Sequence, residues 1–170
     1  MSLHQNNKII PDYGNYDVNF EIESLKKFLQ TNDISTDASF FEKIQKGDII
    51  EVYSFPDNKQ IYCNAEFTKL CSYTQEQMTT IPFPQLFWRD GDVHLSLMKR
   101  AADICKMNQG VYDWNITNHD LVESLHPRKR TFEMNMKYIT PCFAENKKES
   151  IAWLSTLQVE LIYEHSQNID

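Results

Sequence analysis

Residues 61–78, which read IYCNAEFTKLCSYTQEQM, constrain the fold of this chain more than any other stretch. A short apolar strand ends at Asn64, a small amphipathic helix follows, and a Ser-Tyr-Thr turn leads into a second helix. An Asn at the start of a helix can cap it, because its side-chain oxygen accepts a hydrogen bond from an unpaired backbone N–H group. Thr74 and Gln77 have the spacing of a capping box, which marks the next helix start. The stretch therefore predicts a strand, a capped helix, a turn and another helix in close succession.

The chain before this stretch predicts two helices and a β-hairpin. The first helix begins at Asp17, and a second short helix over 38–46 ends at a glycine, which is typical of a helix C-terminus. Residues 49–55 are β-branched and aromatic and predict a strand, which a Pro-Asp-Asn-Lys turn joins to its return strand at 60–63. In the first helix, the residues expected to share the apolar face are Phe20, Leu25, Phe28 and Leu29, and those expected to face water are Glu21, Glu23, Lys26 and Lys27.

The chain after this stretch predicts a long helix and then three strands. The helix covers residues 92–109, with apolar residues along one face and charged residues along the other. The strands alternate apolar and polar residues, which is typical of an antiparallel sheet with one buried and one wetter face. Helices grouped between two sets of strands indicate an α+β domain. The expected strands are 112–118, 130–139 and 151–163, separated by polar loops over 119–129 and 141–149.

This order of elements, together with the residues of the opening stretch, resembles the PAS domain family. The second strand ends in a hydrophobic-x-Cys-Asn pattern at Asn64, and an apolar residue, Phe67, follows in the next helix. Tyr73 stands in the turn that the family usually forms with Gly-Tyr, and the stretch 86–92 is similar to the family's entry to its long helix. Ser72 replaces the usual Gly. We treat Asn64, Phe67 and Tyr73 as the residues of the family signature.

The resemblance implies a fold, a division of the chain and a function. The fold would be α+β, a PAS-like five-stranded antiparallel sheet with helices packed on one face, plus N-terminal flanking helices. Residues 48–163 would form the sensor domain, residues 1–47 an N-terminal extension with amphipathic helices, and residues 164–170 the start of a linker. Such domains bind a small ligand or partner without catalysis and relay a signal to an attached output domain. We expect a helix-turn-helix transcriptional regulator of a bacterium, and a homodimer formed through the amphipathic segment 18–31.

The resemblance also implies that the sheet and the middle helices enclose a ligand cavity. A small apolar ligand is the expected partner, because methionines suit a pocket that adapts to what it binds. A fully packed core without a ligand would use the same side chains, and a PAS module that only dimerises is the corresponding alternative function. The residues expected to line the pocket are Trp114, Phe132, Met134, Met136, Tyr138 and Trp153.

The sequence implies no particular cofactor. Haem-binding members of the family use a His on the long helix, where this chain has His94, but Arg89 and Asp92 nearby indicate a hydrated surface or capping His. Flavin binding would use tryptophan and asparagine, and the tryptophans and Asn135 here fit a strand core better. The five histidines are not spaced as metal ligands.

Catalysis is not expected from the motifs present. The chain has no nucleophile elbow, P-loop or HExxH motif, and its 4 glycines leave little for a phosphate-binding loop. The alternative from another class is a small α+β cone enzyme of the ketosteroid-isomerase or cyclase type, with Asp113, His119 or Tyr138 as acid or base. In that class the helices usually come first, whereas here a hairpin precedes the main helical group.

Composition limits the partners and the compartment. A net charge of −7 argues against a broad nucleic-acid surface, so nucleic acid is expected only through an output domain, and the basic run HPRKR at 126–130 is interpreted as a solvated loop. No apolar run is long enough to span a membrane, and the polar N-terminus has no signal-peptide core. We expect reduced, buried thiols in a cytoplasmic protein. The thiols are those of Cys63, Cys71, Cys105 and Cys142.

Overall fold

The fold combines one antiparallel sheet with helices on both of its faces. The computed structural model describes residues 6–125 and 130–165, so residues 126–129 of the basic run and 166–170 of the expected linker lie outside the description. None of the described helices is long and apolar enough to cross a membrane. The helices are α1 (Val18–Thr31), α2 (Ala65–Leu70), α3 (Gln75–Thr80), α4 (Phe83–Leu86) and α5 (Gly91–Cys105), with a 3-10 helix at Ala38–Lys43.

The sheet is larger than the sequence predicted. The α+β class is confirmed, and the sheet is curled, but the described residues form nine strands where five were expected. The strands are β1 (Asn6–Ile9), β2 (Ile34–Ser35), β3 (Ile49–Ser54), β4 (Lys59–Cys63), β5 (Phe87–Trp88), β6 (Tyr112–Asp113), β7 (His119–Glu123), β8 (Arg130–Ala144) and β9 (Ser150–His165). The main path of the sheet runs β4-β3-β9-β8-β7-β5, with β1 beside β9 and with β2 and β6 beside β8, and all pairings are antiparallel.

Two hydrophobic cores lie on opposite faces of the sheet, with the middle helices on one face and the N-terminal helices on the other. The first core packs α2 to α5 against the sheet, and the second packs α1 and the 3-10 helix against the other face. All six residues of β3 are buried, because alternate side chains enter alternate cores. Ile49 and Tyr53 belong to the first core, while Ile50 and Val52 belong to the second, beside Leu25 of α1.

Helix α1 is buried along a stripe displaced from the predicted one. Glu21, Leu25 and Leu29 are spaced four residues apart and are all buried, so Glu21 points inward instead of facing water. Phe20, one position earlier, is 64% exposed. A helix turns by about 100° per residue, so a stripe through Glu21 leaves Phe20 outside it.

The strand expected over 112–118 is displaced toward the C-terminus. Only Tyr112–Asp113 is extended there, as β6, because Asn115 has a φ of 54° and turns the chain away. Strand β7 forms instead where a polar loop was expected. Its inward residues are His119, Leu121 and Glu123, of which two are buried polar groups, so the apolar alternation that marks a strand is masked.

The long hairpin of β8 and β9 contains β-bulges that alter which side chains face the first core. One register shift lies between Met136 and Tyr138. A bulge adds one residue, which moves the following side chains to the other face. Ile139 therefore enters the first core, and Tyr138 lies in the second, with Lys43 Nζ 5.2 Å from the centre of its ring.

The other predicted elements differ mainly at their ends. The hairpin of β3 and β4 and helices α2 and α3 form close to their expected bounds. The second N-terminal helix, expected over 38–46, is a 3-10 helix that ends at Lys43. Helix α5 ends at Cys105 instead of at residue 109. These ends are set by local hydrogen bonds that the apolar pattern does not encode.

Candidate functional site

The first core encloses a small cavity between the sheet and helices α4 and α5, which we call the inner cavity. Its volume is about 20 Å³, enough for about one water molecule. The sheet contributes Glu51 and Tyr53 from β3, Met136 from β8 and Trp153 from β9, and α5 contributes Leu97. The inner cavity therefore lies where the hairpin of β3 and β4, the last strand and the long helix meet.

A second hollow, which we call the outer cleft, lies next to the inner cavity and opens to the surface. Its volume is about 180 Å³, and aromatic residues of α4 and β5 form much of its wall. Phe83, Arg89 and His94 line both spaces and so form the partition between them. Trp88 lines the outer cleft and is 61% exposed. The two spaces therefore adjoin and form one candidate site, with Arg89 and His94 at the partition.

Five of the six residues predicted to line a pocket share the first core. Met136 and Trp153 line the inner cavity itself. Tyr138 does not share their face, because the bulge after Met136 turns it into the second core. The other three predicted residues belong to the first core but do not line the inner cavity; they are Trp114, Phe132 and Met134.

The two tryptophans of this core carry unpaired donors. Trp114 and Trp153 contact each other edge to face, with ring centres 6.2 Å apart, and Tyr53 stacks on Trp153 at 4.3 Å. The indole Nε1 atom of each tryptophan is buried and has no hydrogen-bond partner among the described residues. Buried indole N–H groups usually have a partner. Trp153 also lines the inner cavity, so this unpaired donor belongs to a residue of the cavity wall.

Arg89 places a positive charge in the partition. Its Nη1 atom lies 3.3 Å from His119 Nε2, and its guanidinium carbon lies 5.1 Å from the centre of the Phe83 ring. Burial lowers the pKa of Arg89, although an arginine remains charged at neutral pH. In the part of the chain that the structure describes, no carboxylate oxygen lies within 4.0 Å of its nitrogen atoms. The charge therefore has no direct ion pair there.

The contacts of His119 fix its protonation. A guanidinium group can only donate hydrogen bonds, so Nε2 of His119 accepts from Arg89. Nδ1 then carries the proton and donates to the Thr117 carbonyl oxygen at 3.1 Å. Burial lowers the pKa of His119, and the charge of Arg89 lowers it further. His119 is therefore a neutral acceptor that orients Arg89.

His94 lies in the partition, where the sequence predicted a hydrated surface or capping residue. It is half-buried at the start of α5, and burial, followed by the charge of Arg89, lowers its pKa. The inner cavity of about 20 Å³ and the outer cleft of about 180 Å³ are both smaller than the volume of about 300–1,000 Å³ that is typical of pockets for drug-sized ligands. The space beside His94 thus does not fit a haem or a flavin, and no group of His, Cys, Asp or Glu among the described residues is arranged to hold a metal ion.

Glu51 is the buried acid of the inner cavity. Its Oε1 accepts a hydrogen bond from Ser155 Oγ at 2.9 Å, and its Oε2 accepts from Gln60 Nε2. Burial raises the pKa of Glu51, against the opposing effects of these hydrogen bonds and of Arg89. Both carboxylate oxygens are thus held by neighbouring strands.

Sequence reasoning missed the polar residues of this site. Glu51 is the single charged residue in the apolar run IIEVYSF, and Arg89 follows the aromatic run FPQLFW. A lone charge inside an apolar run was the available signal, because a charged residue is seldom fully buried without a role. For His94 the sequence contains no comparable signal.

Asn64 and Phe67 of the family signature hold the helical layer on the sheet. Asn64 occupies the N-cap position of α2, but the prediction that its side chain caps the helix is wrong. Its Oδ1 accepts from the backbone N–H of Ile50 at 3.0 Å, and its Nδ2 donates to the Asp48 carbonyl at 2.9 Å. Phe67 stacks on Phe87 with ring centres 5.5 Å apart.

The turn at Ser72 and Tyr73 is tied to β7 and the segment after it. Tyr73 Oη donates to the Leu86 carbonyl at 2.6 Å and accepts from the backbone N–H groups of residues 124 and 125. Ser72 donates to the buried carboxylate of Glu123 through its backbone N–H at 2.8 Å and its hydroxyl at 2.9 Å. The serine that replaces the usual glycine is therefore a hydrogen-bonding residue in its own right.

The three residues considered as acid or base of a cone enzyme do not converge on one pocket. Asp113 is exposed on β6, opposite Tyr138 of β8, and Tyr138 belongs to the second core. His119 is held by Arg89 and lies opposite Met134, further along β8. Neither Asp113 nor Tyr138 lines the inner cavity or the outer cleft.

Comparison with known proteins does not identify the chain. No model of a known family matches it, and no curated protein matches it in sequence.

Proposed function

We propose that this chain is a PAS-like sensory domain. It binds a small ligand at the inner cavity and the outer cleft, catalyses no reaction and relays its state to an attached output domain. The observation that carries the proposal is the position of the first hairpin. Strand β3 lies beside the last strand, so β4, β3, β9, β8 and β7 are consecutive, while α2 to α5 cover one face and enclose a cavity. Two early strands, a helical middle and three late strands are the order that the family resemblance implies.

The remaining strands are additions to this five-stranded path. Strands β1, β2 and β6 are two to four residues long and pair with parts of β8 or β9, and β5 extends the edge beyond β7. They enlarge the sheet without separating any of the five consecutive strands. This supports a PAS-like centre with peripheral strands.

Strand β3 offers a physical route for the signal. Glu51 and Tyr53 line the inner cavity, while the alternate residues Ile50 and Val52 pack in the second core against α1. A ligand that moves β3 would therefore change the packing of α1 on the opposite face. In the proposal, α1 transmits that change to a helix-turn-helix output domain in the cytoplasm.

A homodimer through α1 is part of the proposal. Leu25 and Leu29 pack against the sheet of their own chain, so the dimer contact would centre on the exposed Phe20. Sedimentation velocity tests this with Phe20→Glu and with Asn19→Glu as the control at a neighbouring exposed position. We expect dimers for the wild type and Asn19→Glu and a monomer for Phe20→Glu. A monomeric wild-type chain would rule out this part.

Native mass spectrometry with an absorption spectrum of the purified protein tests the ligand-binding function. We expect the native protein to carry a mass in addition to that of the polypeptide, and we expect denaturation to remove this additional mass. A buried ligand that dissociates slowly stays bound during purification. Ligand binding would be contradicted by a protein that is purified without a ligand and whose unfolding temperature is not raised by any compound of a small-molecule panel. Such a result would favour a PAS module that only dimerises.

A further inference from the structure

We infer that the ligand is a small organic carboxylate, held by Arg89 at the partition between the inner cavity and the outer cleft. Its apolar body lies in the outer cleft. The inference rests on the proposed ligand-binding function and names the chemical class of the ligand.

The charge of Arg89 is the first argument. Arg89 is half-buried, and a charge withdrawn from water is costly unless an opposite charge and hydrogen bonds compensate it. The described contacts of Arg89 are a neutral histidine and an aromatic ring, and no described carboxylate oxygen lies within 4.0 Å of its nitrogen atoms. A carboxylate would supply the missing charge, because its two oxygens match the planar fork of a guanidinium group.

The balance of donors and acceptors is the second argument. Arg89 carries five N–H donors and uses one of them on His119. Trp153 is 2% exposed and lines the inner cavity, and its Nε1–H has no hydrogen-bond partner among the residues that the structure describes. The acceptors of Glu51 are already engaged by Ser155 and Gln60. The site therefore has donors in excess, and the molecule that completes it must bring acceptors.

A single water molecule is the simplest competing occupant. The inner cavity has room for one, and a water oxygen can accept from Trp153. Water carries no charge, however, and so leaves Arg89 without a direct ion pair among the described residues. Glu51 attracts Arg89 across the inner cavity, but without direct contact, because its oxygens are held by the strands.

The shapes of the two spaces decide how the ligand lies. The inner cavity accepts no more than a group of about the size of one water. The outer cleft is about nine times larger and is lined by Phe83, Pro84, Phe87 and Trp88. One carboxylate oxygen therefore reaches toward Trp153, and a ring or short chain packs against the aromatic walls of the outer cleft.

Isothermal titration calorimetry with two matched probes tests the inference. Phenylacetate carries the carboxylate on an aromatic body, and phenylacetamide has the same shape without the charge. We expect phenylacetate to bind about 10- to 100-fold more tightly, which is the effect of a hydrogen-bonded charge. Inorganic phosphate, which has charge without an apolar body, should bind more weakly than phenylacetate.

Three variants locate the interaction. Arg89→Met should reduce the affinity for phenylacetate to that for phenylacetamide. The control Lys99→Met removes an exposed positive charge from α5 and should leave both affinities unchanged. Trp88→Ala should weaken both probes by a similar factor, because it removes part of the wall for the apolar body. Trp88 is exposed, so this variant tests the site even if Arg89→Met fails to fold.

Equal affinity for the two probes, or no effect of Arg89→Met in a folded protein, would overturn the carboxylate class while leaving a ligand-binding domain in place. Phosphate binding as tight as that of phenylacetate would also overturn it and indicate an unspecific anion site. The carboxylate class would also be overturned if phenylacetate did not bind at concentrations up to about 10 mM, because a dissociation constant above this value is too weak for a ligand site. The ligand-binding function itself is then decided separately by the retained mass in native mass spectrometry.

Discussion

The side-chain oxygen of Asn64 accepts a hydrogen bond from the backbone N–H of Ile50 at 3.0 Å. Asn64 is the last residue before α2, and Ile50 lies in β3, so this bond joins the helical layer to a central strand. The neighbouring residue of β3, Glu51, lines the inner cavity. The position of the cavity wall thus depends on a contact made by a residue outside the cavity.

Replacing Asn64 by alanine should destabilise the fold by about 2–3 kcal/mol, because the buried N–H of Ile50 loses its partner. Urea unfolding at neutral pH measures the loss. Asn135→Ala is the control, since the Asn135 side chain bonds to Glu160 at an exposed site, and it should cost less than about 0.5 kcal/mol. Equal losses for the two variants would show that Asn64 does not join the two layers.

Glu123→Gln should cost about 2–4 kcal/mol in the free energy of unfolding. The Glu123 carboxylate is fully buried and accepts from Ser72 N–H, from Ser72 Oγ and from Arg130 N–H at 3.0 Å. A glutamine would turn an NH₂ donor toward at least one of these donors, which leaves buried groups unpaired. Thermal unfolding compares it with Asp120→Asn at an exposed position of the same strand, which should be near neutral. A harmless Glu123→Gln would refute the tie between the turn and β7.

Glu66→Gln should make stability less dependent on pH. Glu66 is buried, its Oε1 has no hydrogen-bond partner within the described part of the chain, and burial raises its pKa above the ordinary 4.5. The folded state then binds more protons than the unfolded state between 4.5 and the raised value, so stability falls as pH rises through that window. The variant removes this loss and should be more stable than the wild type at pH 7.

Urea titrations between about pH 4 and pH 7 measure the effect. Glu76→Gln, at an exposed position of α3, is the control and should keep the wild-type pH dependence. Glu21, whose pKa burial also raises, is unchanged in both variants and should leave some residual slope. A pH dependence of Glu66→Gln identical to that of the wild type would contradict the prediction.

The native protein should react slowly with Ellman's reagent at about pH 8, because the thiolate is the reacting form. Burial raises the pKa of Cys63, Cys71 and Cys142 to about 12 and that of the half-buried Cys105 to about 11. Cys105 should therefore react first. The urea-unfolded protein is the control and should titrate 4 thiols rapidly. Fast reaction of any fully buried cysteine in the native state would contradict its placement.

Features set by neighbouring residues could be predicted from the sequence. The capping box is confirmed, with Thr74 Oγ1 accepting from Gln77 N–H and Gln77 Oε1 accepting from Thr74 N–H. Both partners lie within one helical turn, so spacing alone identifies them. Met136 and Trp153 were identified as pocket residues because alternation along a strand fixes a face until a bulge intervenes. Tyr138, just beyond the bulge, was placed on the wrong face for that reason.

Features set by distant partners could not be predicted in the same way. Strand β7 was interpreted as a loop because its inward His119 and Glu123 are polar, and each has a partner 30 or more residues away in the chain, Arg89 and Ser72. The burial of Arg89 likewise depends on His119, which only the folded sheet brings beside it. The polar part of the site is therefore a property of the tertiary structure, whereas its apolar part is visible in the pattern of the strands.

The indole N–H signals in ¹H–¹⁵N NMR spectra test the ligand site most directly. The chain has 3 tryptophans, of which Trp153 lines the inner cavity, Trp88 lines the outer cleft and Trp114 lines neither. During titration with phenylacetate we predict saturable shifts of the Trp153 and Trp88 signals with one common affinity, and a smaller shift for Trp114. In Arg89→Met the same shifts should require phenylacetate concentrations about 10- to 100-fold higher. An unchanged Trp153 signal at saturating phenylacetate would contradict a ligand site at this cavity.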